Sequence, residues 1–512
     1  MIKRLNRLHG SIPEWAWLIL LAVGLRIVTL GSESYWYDEA YTVQVVQKSW
    51  PQVIALISND VHPFLWYAIE WINVRLFGTS EFMFRLPDLI LSVIAVLLVW
   101  QIARNLFMDK TPFLAGVLAA IIPASIYYGQ DARMYPLLAC CVLGAVLAAK
   151  RDNYLLYFLC GLGAILSQNL GLFYIAVLSA LWILFPYLSF YIVLHPSQWI
   201  KRDTRLKVLT CLAILMTWGI VWAPVFIHQA SAVQSGFWLP TLSLSDGLTP
   251  DITMTLGQRF PSNLIVFGGL IAFGLTMLGI ASTFRLFPHN LRARGFYVRA
   301  SYPIGIALGV PLAMALISVI WHRSIYLPRA MFPAALLLMI VWADGLMSLS
   351  RRDRRAVLLA AAPVLAVALI AFYFPGDKGR FPYRDWAAQI RQNWQQGDVI
   401  YSINEATAIP DGYYLNDLPA YLLPTGDHLY EGGLTSQAKV LFGFHQATFE
   451  HVAGTGLYHR AWIIIPTSPL LEAEQNLAAA HILNNYACTV QRSTVSELET
   501  VTLYLCDFSV DL

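Results

Sequence analysis

The sequence predicts a polytopic α-helical membrane protein that carries a small C-terminal α/β domain. Of the 512 residues, 57% are hydrophobic and only 13% are charged, whereas a soluble domain has about 25% charged residues. Apolar runs long enough for membrane-spanning helices recur along the first three quarters of the chain. We therefore expect membrane lipids as partners and no nucleic acid.

Eleven apolar runs are the predicted membrane spans. The first follows a basic N-terminus and looks like a signal peptide, but no small-x-small cleavage site follows it, so we interpret it as a retained signal anchor. The runs lie at about 14–30, 86–106, 112–128, 134–149, 154–167, 171–194, 207–229, 262–283, 302–320, 331–348 and 356–374.

Basic residues predict the orientation of these spans. Six clusters of Lys and Arg lie between them, including "RRDRR" at 351–355. All six fall on the cytoplasmic side if the N-terminus is cytoplasmic, as the positive-inside rule requires. We thus expect a multi-pass plasma (inner) membrane protein with a membrane domain at 1–374 and an extracytoplasmic domain at 375–512.

The apolar run from His62 to Gly78 is not counted as a span. As a helix it would reach only about 22 Å, against a hydrocarbon core of about 30 Å. Counting it would also move every later basic cluster to the outside. It contains Glu70 and Arg75, and we interpret it as an interfacial helix within one long extracytoplasmic loop, residues 32–85.

The C-terminal segment changes from long apolar runs to alternating patterns. "YRDWAAQIRQNWQQGDVIYSI" predicts an amphipathic helix and a buried strand, "HRAWIIIPTS" a strand, "SPLLEAEQNLAAAHILNNY" a capped helix, and "YACTVQRS" with "ETVTLYLCDF" a strand pair. Cys488 and Cys506 fall on these two predicted strands. They could form a disulfide or remain two free thiols, and the sequence leaves both alternatives. No phosphate-binding glycine loop is visible, so no nucleotide cofactor is expected.

Two adjacent carboxylates, Asp38 and Glu39, are the first candidate site residues. Asp38 could simply cap the helix "EAYTVQVVQ", since an acid suits the first helical turn. That explains one acid but not a pair within "YWYDEAY" beside the bilayer, where charge is costly to bury. A functional role explains the adjacent pair better than helix capping does.

Asp60 and His62 in "SNDVHPFLW" allow two interpretations. They could form the turn before a proline-started helix. A carboxylate and an imidazole two residues apart could instead bind a divalent cation such as Mg, Mn or Zn.

Three arginines at the outer ends of spans stand out: Arg85, Arg133 and Arg329. Arginines there often snorkel to the interface, but a guanidinium also matches phosphate oxygens bidentately. Arg26, near the outer end of the first span, either joins them or snorkels. Carboxylates beside arginines suit a reaction in which a lipid phosphate leaves and a hydroxyl attacks.

Five motifs, taken in order, resemble the polyprenyl-phosphate-dependent membrane glycosyltransferases of the GT-C fold, which include protein O-mannosyltransferases and lipid A aminoarabinose transferases. They cover most of residues 14–350 and read "WYDEAY", "NDVHPFLWYAIEWINVRLFG", "GTSEFMFRLPDLI", "YYGQDARMYPL" and "SIYLPRAMFPAALLL". Phe64 departs from the His-Pro-Pro of the mannosyltransferases. Ala40 and Tyr41 stand where the aminoarabinose transferases have an arginine, so the acceptor cannot be inherited from that branch.

The resemblance implies a role for each candidate. Asp38 would be the catalytic base and Glu39 a supporting or metal-linked acid, while His62 would contact phosphate or, with Asp60, hold a metal. Substrate binding is implied for Arg85, Gln130, Arg133, Tyr135, Tyr326 and Arg329.

The implied reaction moves a sugar from a polyprenyl-phosphate donor to a hydroxyl of a lipid, glycan or protein acceptor, outside the cell membrane and with inversion. The alternatives are a lipid-linked sugar flippase or transporter, and a polymerase or ligase that uses diphosphate-linked oligosaccharides. Transporters usually carry charged groups at mid-membrane, whereas the candidates here gather at one face. That placement favours an enzyme.

Overall fold

The computed structural model describes residues 13–190, 201–235, 249–285, 291–376, 379–424, 434–467, 473–495 and 500–511. Helices dominate the part before residue 374. They are α1 (Glu14–Ile27), α2 (Tyr37–Gln47), α3 (Trp50–Ser58), α4 (Phe64–Phe77), α5 (Glu81–Arg104), α6 (Thr111–Ile121), α7 (Pro123–Tyr128), α8 (Tyr135–Lys150), α9 (Tyr154–Ser167), α10 (Gly171–Phe190), α11 (Lys201–Val221), α12 (Ala223–Ser235), α13 (Thr249–Leu256), α14 (Ile265–Arg285), α15 (Leu291–Ile320), α16 (Phe332–Ser348) and α17 (Arg351–Tyr373).

The apolar helices confirm the predicted fold class. Within the described ranges, six helical segments are long and apolar enough to cross a membrane, and four further helices are apolar but shorter. Each of the eleven predicted spans overlaps at least one of the helices given above. Their number as spans, and the side that each loop faces, stay predictions.

Two predicted spans are broken: 207–229 falls on α11 and α12, and 112–128 is divided as well. The run 112–128 forms α6 and α7, because Ile122 has an extended backbone (φ −61°, ψ 135°) and Pro123 follows it. Proline has no amide hydrogen and disfavours a helical residue before it, so the helix stops and restarts. The restart leads into the loop that carries Asp131 and Arg133.

Arg26 differs from both alternatives that the sequence left open. Its side chain is fully buried, so it neither snorkels nor joins the outer arginines. Its Nε donates to Ser92 Oγ (2.8 Å), and its Nη2 donates to both oxygens of Ser125 (2.8 and 3.0 Å). Inside a bilayer every polar group needs an internal partner, and Arg26 finds them by joining α1 to α5 and α7.

The loop between α1 and α5 folds into three helices, α2, α3 and α4, and α4 forms within the predicted interfacial helix. Helix α3 begins with a capping box made by Ser49 and Gln52. Arg75, near the end of α4, lies 3.6 Å from the centre of the Trp71 ring and donates to the carbonyls of Val46 and Lys48. This arginine fixes α4 against α2, so the loop presents a firm support for the site.

The C-terminal part is an α/β domain with one six-stranded sheet in the order β3-β2-β1-β4-β6-β5. The first four strands of that order are parallel, and β6 is antiparallel to both of its neighbours. Its elements are α18 (Tyr383–Asn393), β1 (Asp398–Ser402), α19 (Glu405–Tyr414), β2 (Ala420–Leu422), α20 (Ser436–Phe442), β3 (His445–Gln446), α21 (Phe449–Gly454), β4 (Arg460–Thr467), α22 (Ala473–Asn485), β5 (Tyr486–Val495) and β6 (Thr500–Asp511).

Cys488 and Cys506 are joined by a disulfide between facing positions of β5 and β6. Of the two outcomes that the sequence left open, the structure has the bonded one.

The domain docks on the loop that carries the acidic pair. Gln44 of α2 donates through Nε2 to the carbonyl of Ile409 in α19 (2.7 Å). The hydroxyl of Tyr414 accepts from the amide of Tyr35 (2.8 Å) and donates to Glu81 (2.9 Å). The C-terminal domain therefore braces the first loop directly.

Candidate active site

Glu39 is the buried member of the acidic pair. It lies in the first turn of α2 with no exposed surface. Oε1 accepts from Arg85 Nε (2.7 Å) and the Ala132 amide (2.9 Å), and Oε2 accepts from Arg85 Nη2 (2.6 Å) and Arg380 Nη1 (2.9 Å). Burial alone would raise the pKa of Glu39, but the two guanidinium groups outweigh it and hold the pKa below its usual range. Every oxygen of Glu39 is thus engaged inside the protein.

Asp38 is the open member, with 17% of its side chain exposed. Its Oδ2 accepts from Arg329 Nη1 (2.8 Å) and lies 3.4 Å from Arg133 Nη2. Burial would raise the pKa of Asp38, but these two arginines lower it below its usual range, so the group is ionised at neutral pH. The two neighbouring carboxylates point in different directions because consecutive residues of a helix are about 100° apart around its axis.

Arg133 joins the acidic pair to His62. Its Nη2 lies 2.9 Å from Nε2 of His62, and its Nη1 donates to Thr42 Oγ1 (3.2 Å). Burial, reinforced by the charge of Arg133, lowers the pKa of His62 to about 3. The imidazole is therefore neutral, and its Nε2 accepts the hydrogen bond from Arg133.

The surroundings of Asp60 and His62 do not favour a cation between them. Asp60 accepts from the Val61 amide (2.7 Å) and the Tyr67 hydroxyl (2.9 Å), while a guanidinium faces His62. No group of three or more His, Cys, Asp or Glu able to hold a metal occurs among the described residues. The arrangement of Asp60 and His62 therefore does not fit a metal ion. The presence of a metal stays a prediction, and no step below uses one.

Arg85 is buried and fixes the first loop, and it does not lie on an open surface. Only 1% of it is exposed. Besides its two bonds to Glu39, it donates to the carbonyls of Leu30 (3.0 Å), Glu33 (2.8 Å) and Ser34 (3.0 Å). All five of its N–H groups are used within the protein.

The other predicted substrate contacts lie near the same loops but are largely buried. Gln130 donates to Thr29 Oγ1 (2.7 Å), which ties the second loop to the end of α1. Tyr135 is fully buried at the start of α8, and its hydroxyl has no hydrogen-bond partner among the described residues. Tyr326, 5% exposed, precedes the 3₁₀ turn Pro328–Met331 that carries Arg329. Substrate contact for these three stays a prediction.

Sequence reasoning missed two arginines of this region. Arg380, which follows α17, donates to Glu39 and, through Nη2, to Asp131 Oδ1 (2.9 Å). Burial raises the pKa of Asp131 to about 6, although Arg380 opposes the rise. Arg259 lies 2.8 Å from Glu33. Both arginines fall in segments predicted to be outer loops, so the criterion that singled out Arg85 and Arg133 would have found them.

An open cavity of about 290 Å³ is lined in part by His62. Its polar lining comes from His62, Gln168, Asn169 and Gln229, and its apolar lining comes from residues of several helices and loops. These apolar residues are Val61, Leu170, Leu172, Phe173, Phe226, Ala230, Ile317, Trp321, Ile325 and Leu327. The mostly apolar cavity is thus linked to Arg133 through His62, which lines the cavity and contacts that arginine.

Comparisons with known proteins agree with this architecture. Residues 61–222 match the family described as dolichyl-phosphate-mannose-protein mannosyltransferase. The structure of ArnT from Cupriavidus metallidurans bound to undecaprenyl phosphate matches with a TM-score of 0.60 and 15% identity, over 95% of this chain and 97% of that chain. Its apo state gives 0.61 and 16%, over 95% and 98%. No curated protein sequence matches the chain.

The chain therefore has a membrane-protein fold of the GT-C type. The family match and the two structural matches confirm the resemblance to the polyprenyl-phosphate-dependent membrane glycosyltransferases that the motifs predicted.

Proposed function

We propose that this protein transfers a sugar from a polyprenyl-phosphate donor to an acceptor hydroxyl at the extracytoplasmic face of the plasma membrane. One observation carries the proposal. Asp38 is a partly open carboxylate held by arginines of two other loops, and one of those arginines also contacts His62 in the wall of a mostly apolar cavity. The proposed base, the proposed phosphate-binding pair and the proposed lipid groove are thus linked through Arg133 and His62.

The two carboxylates have different roles in this reaction. Glu39 has no exposed surface and four hydrogen bonds from the protein, so it positions the helix on which Asp38 lies. Asp38 alone can reach a proton on a bound acceptor, since a general base must lie within hydrogen-bond distance of that proton.

Arg133 and Arg329 supply the charge that a leaving phosphate needs. Guanidinium groups bind phosphate oxygens with paired, charge-assisted hydrogen bonds. Their positive charge is shared with Asp38. A bound phosphate would compete for the same donors, and the pKa of Asp38 would then rise toward its ordinary value. Donor binding would make Asp38 a stronger base where one is needed.

The cavity suits the polyprenyl chain. Its polar lining at His62 lies beside Arg133, where the phosphate would sit, and the apolar remainder would take the first isoprene units. Lipid and cofactor sites are commonly apolar clefts with a few placed polar groups. The sugar would then lie above Asp38 and face the water outside.

The bond changes are those of a single displacement. The acceptor oxygen forms a bond to the anomeric carbon while the bond from that carbon to the phosphate oxygen breaks. The hydroxyl proton passes to Asp38, and the electron pair of the broken bond leaves on polyprenyl phosphate, stabilised by Arg133 and Arg329. Attack from the opposite face inverts the anomeric configuration. A lipid-carried donor fits the location because nucleotide sugars are cytoplasmic.

Turnover of defined donors tests the proposal. Purified protein in lipid nanodiscs would be incubated with polyprenyl-phosphate hexose and, separately, pentose, and free polyprenyl phosphate would be measured. Membrane extract serves as the acceptor source, and mass spectrometry of glycolipids and glycoproteins from cells with and without the gene identifies the product.

We expect Asp38→Asn to abolish release and Asp417→Asn, an exposed position in the C-terminal domain, to leave it unchanged. Normal turnover by folded Asp38→Asn would refute the role of the base. Movement of the intact donor across vesicles without cleavage would support a transporter instead.

A further inference from the structure

One buried cation of the active site comes from beyond the last membrane helix. Arg380 lies in the short segment that joins α17 to α18, and its side chain is only 4% exposed. Arg384, on the first turn of α18, donates to the carbonyls of Gly31 (3.2 Å) and Ser32 (2.8 Å). Two arginines therefore fasten the start of the C-terminal domain to the loop that precedes Asp38.

Arg380 holds two carboxylates that belong to different loops. Its Nη1 donates to Glu39 and its Nη2 to Asp131, each at 2.9 Å. The indole Nε1 of Trp36 donates to the same oxygen of Asp131 at 2.8 Å. Arg380, Glu39 and Asp131 are all buried, and a buried charge that loses its partner is left uncompensated. Arg380 thereby keeps the first and second loops in one arrangement.

Trp36 provides a second indirect connection between Arg380 and Asp38, the proposed base. The guanidinium carbon of Arg380 lies 5.9 Å from the centre of the Trp36 ring, and that of Arg329 lies 5.8 Å from it. Arg329 in turn donates to Asp38. A displacement at Arg380 therefore reaches Asp38 both through its chain neighbour Glu39 and through Trp36 with Arg329.

We propose that Arg380 is a positioning residue for the transfer reaction and that the site is complete only when the C-terminal segment is docked. The inference rests on the proposed function. Since Arg380 contacts the protein rather than the donor in this scheme, its loss should impair the chemical step and leave donor binding almost unchanged. Such a role makes the C-terminal domain part of the catalytic structure.

Kinetics of full-length variants in nanodiscs test the inference with the donor assay described above. We expect Arg380→Gln to lower kcat at least 100-fold while the KM for the donor stays within threefold. Arg380→Lys keeps the charge but cannot form both bonds of the planar guanidinium, so it should recover at least tenfold over Arg380→Gln. Arg391→Gln, at an exposed ion pair of the same domain, should match the wild type.

Limited trypsin digestion gives a measurement that does not depend on activity, since trypsin cuts after Lys and Arg. We expect the wild type to resist cleavage after position 380, and Arg380→Lys to be cut there faster. Size-exclusion chromatography shows which variants fold, and Arg380→Lys serves if Arg380→Gln does not.

The outcomes separate the two proposals. If the wild type turns over donor and folded Arg380→Gln keeps its kcat, the inference fails and the proposed function stands. A raised KM with unchanged kcat would instead place Arg380 in donor binding and also overturn it. If the wild type shows no turnover, the proposed function fails, and equal tryptic cleavage of the wild type and Arg380→Lys after position 380 would then refute the docking role as well.

Discussion

Conservative substitution of each acid in turn should separate two roles within one adjacent pair. Glu39→Gln keeps the shape of the side chain but removes its charge from between two guanidinium groups. Asp38→Asn makes the same change one residue earlier, where the side chain is partly open. The structure predicts a loss of stability in the first variant and a loss of turnover in the second.

The magnitude for Glu39 follows from its contacts. It accepts hydrogen bonds of 2.6, 2.7 and 2.9 Å from Arg85 and Arg380, and both members of the closest pair are at most 1% exposed. Removing one partner of a buried ion pair costs about 3–5 kcal/mol because the other charge is left uncompensated. Solvent screening does not reduce this figure for a group without exposed surface.

Asp38→Asn should cost less. It loses one close charged hydrogen bond, the 2.8 Å contact with Arg329, which is worth about 1.5–3 kcal/mol. Arg133 keeps His62 and Thr42 as partners. Because the carboxylate is the proposed base, donor turnover by Asp38→Asn should nevertheless fall below detection.

Equilibrium unfolding in SDS and detergent mixtures would measure both free energies, and the donor assay at a temperature where both variants are folded would measure turnover. Asp417→Asn is the matched control for the loss of one carboxylate. Wild-type stability of Glu39→Gln would refute the argument from burial. Retained turnover by Asp38→Asn together with full loss by a stable Glu39→Gln would show that the roles are reversed.

Three further outcomes follow from the structure. Leu172→Trp should fill part of the cavity and raise the KM for a long-chain donor about tenfold with little effect on a short-chain one; equal effects would refute the lipid groove. With a pKa of about 3 in the folded state and about 6.5 unfolded, His62 binds a proton in this pH range only on unfolding, so the unfolding free energy should fall by about 1.6 kcal/mol from pH 6.5 to pH 5. In denaturation curves at both pH values, His62→Gln should remove that part of the slope, and an unchanged slope would contradict it. Cys488→Ser, which opens a crosslink between residues 18 apart, should destabilise the C-terminal domain by about 3 kcal/mol in thermal unfolding, and an unchanged transition would contradict this.

Hydropathy and turn chemistry predicted the main membrane helices and four of the six strands of the C-terminal sheet, but not β2, β3 or the helices α19 to α21. Long apolar runs leave little choice in a membrane, where the backbone must bond to itself. The break at Pro123 shows that a continuous apolar run hides an interruption when one residue lacks its amide hydrogen.

The site was predictable only in part. Asp38, Arg133 and Arg329 converge as their outer-loop positions suggested. Burial is what the sequence did not reveal. Nothing in "YDEAY" distinguishes the enclosed Glu39 from the open Asp38, because the difference comes from Arg85 and from a residue more than 300 positions away, Arg380.

The open face of Asp38 has a chemical consequence of its own. A carboxylate that an acceptor hydroxyl can reach can also be reached by water, and both carry a proton and a lone pair. Nothing in the charge of Asp38 discriminates between them. Fidelity must therefore come from the acceptor itself, whose bulk would displace solvent from the reacting carbon, and a donor bound without an acceptor should be slowly hydrolysed to free sugar.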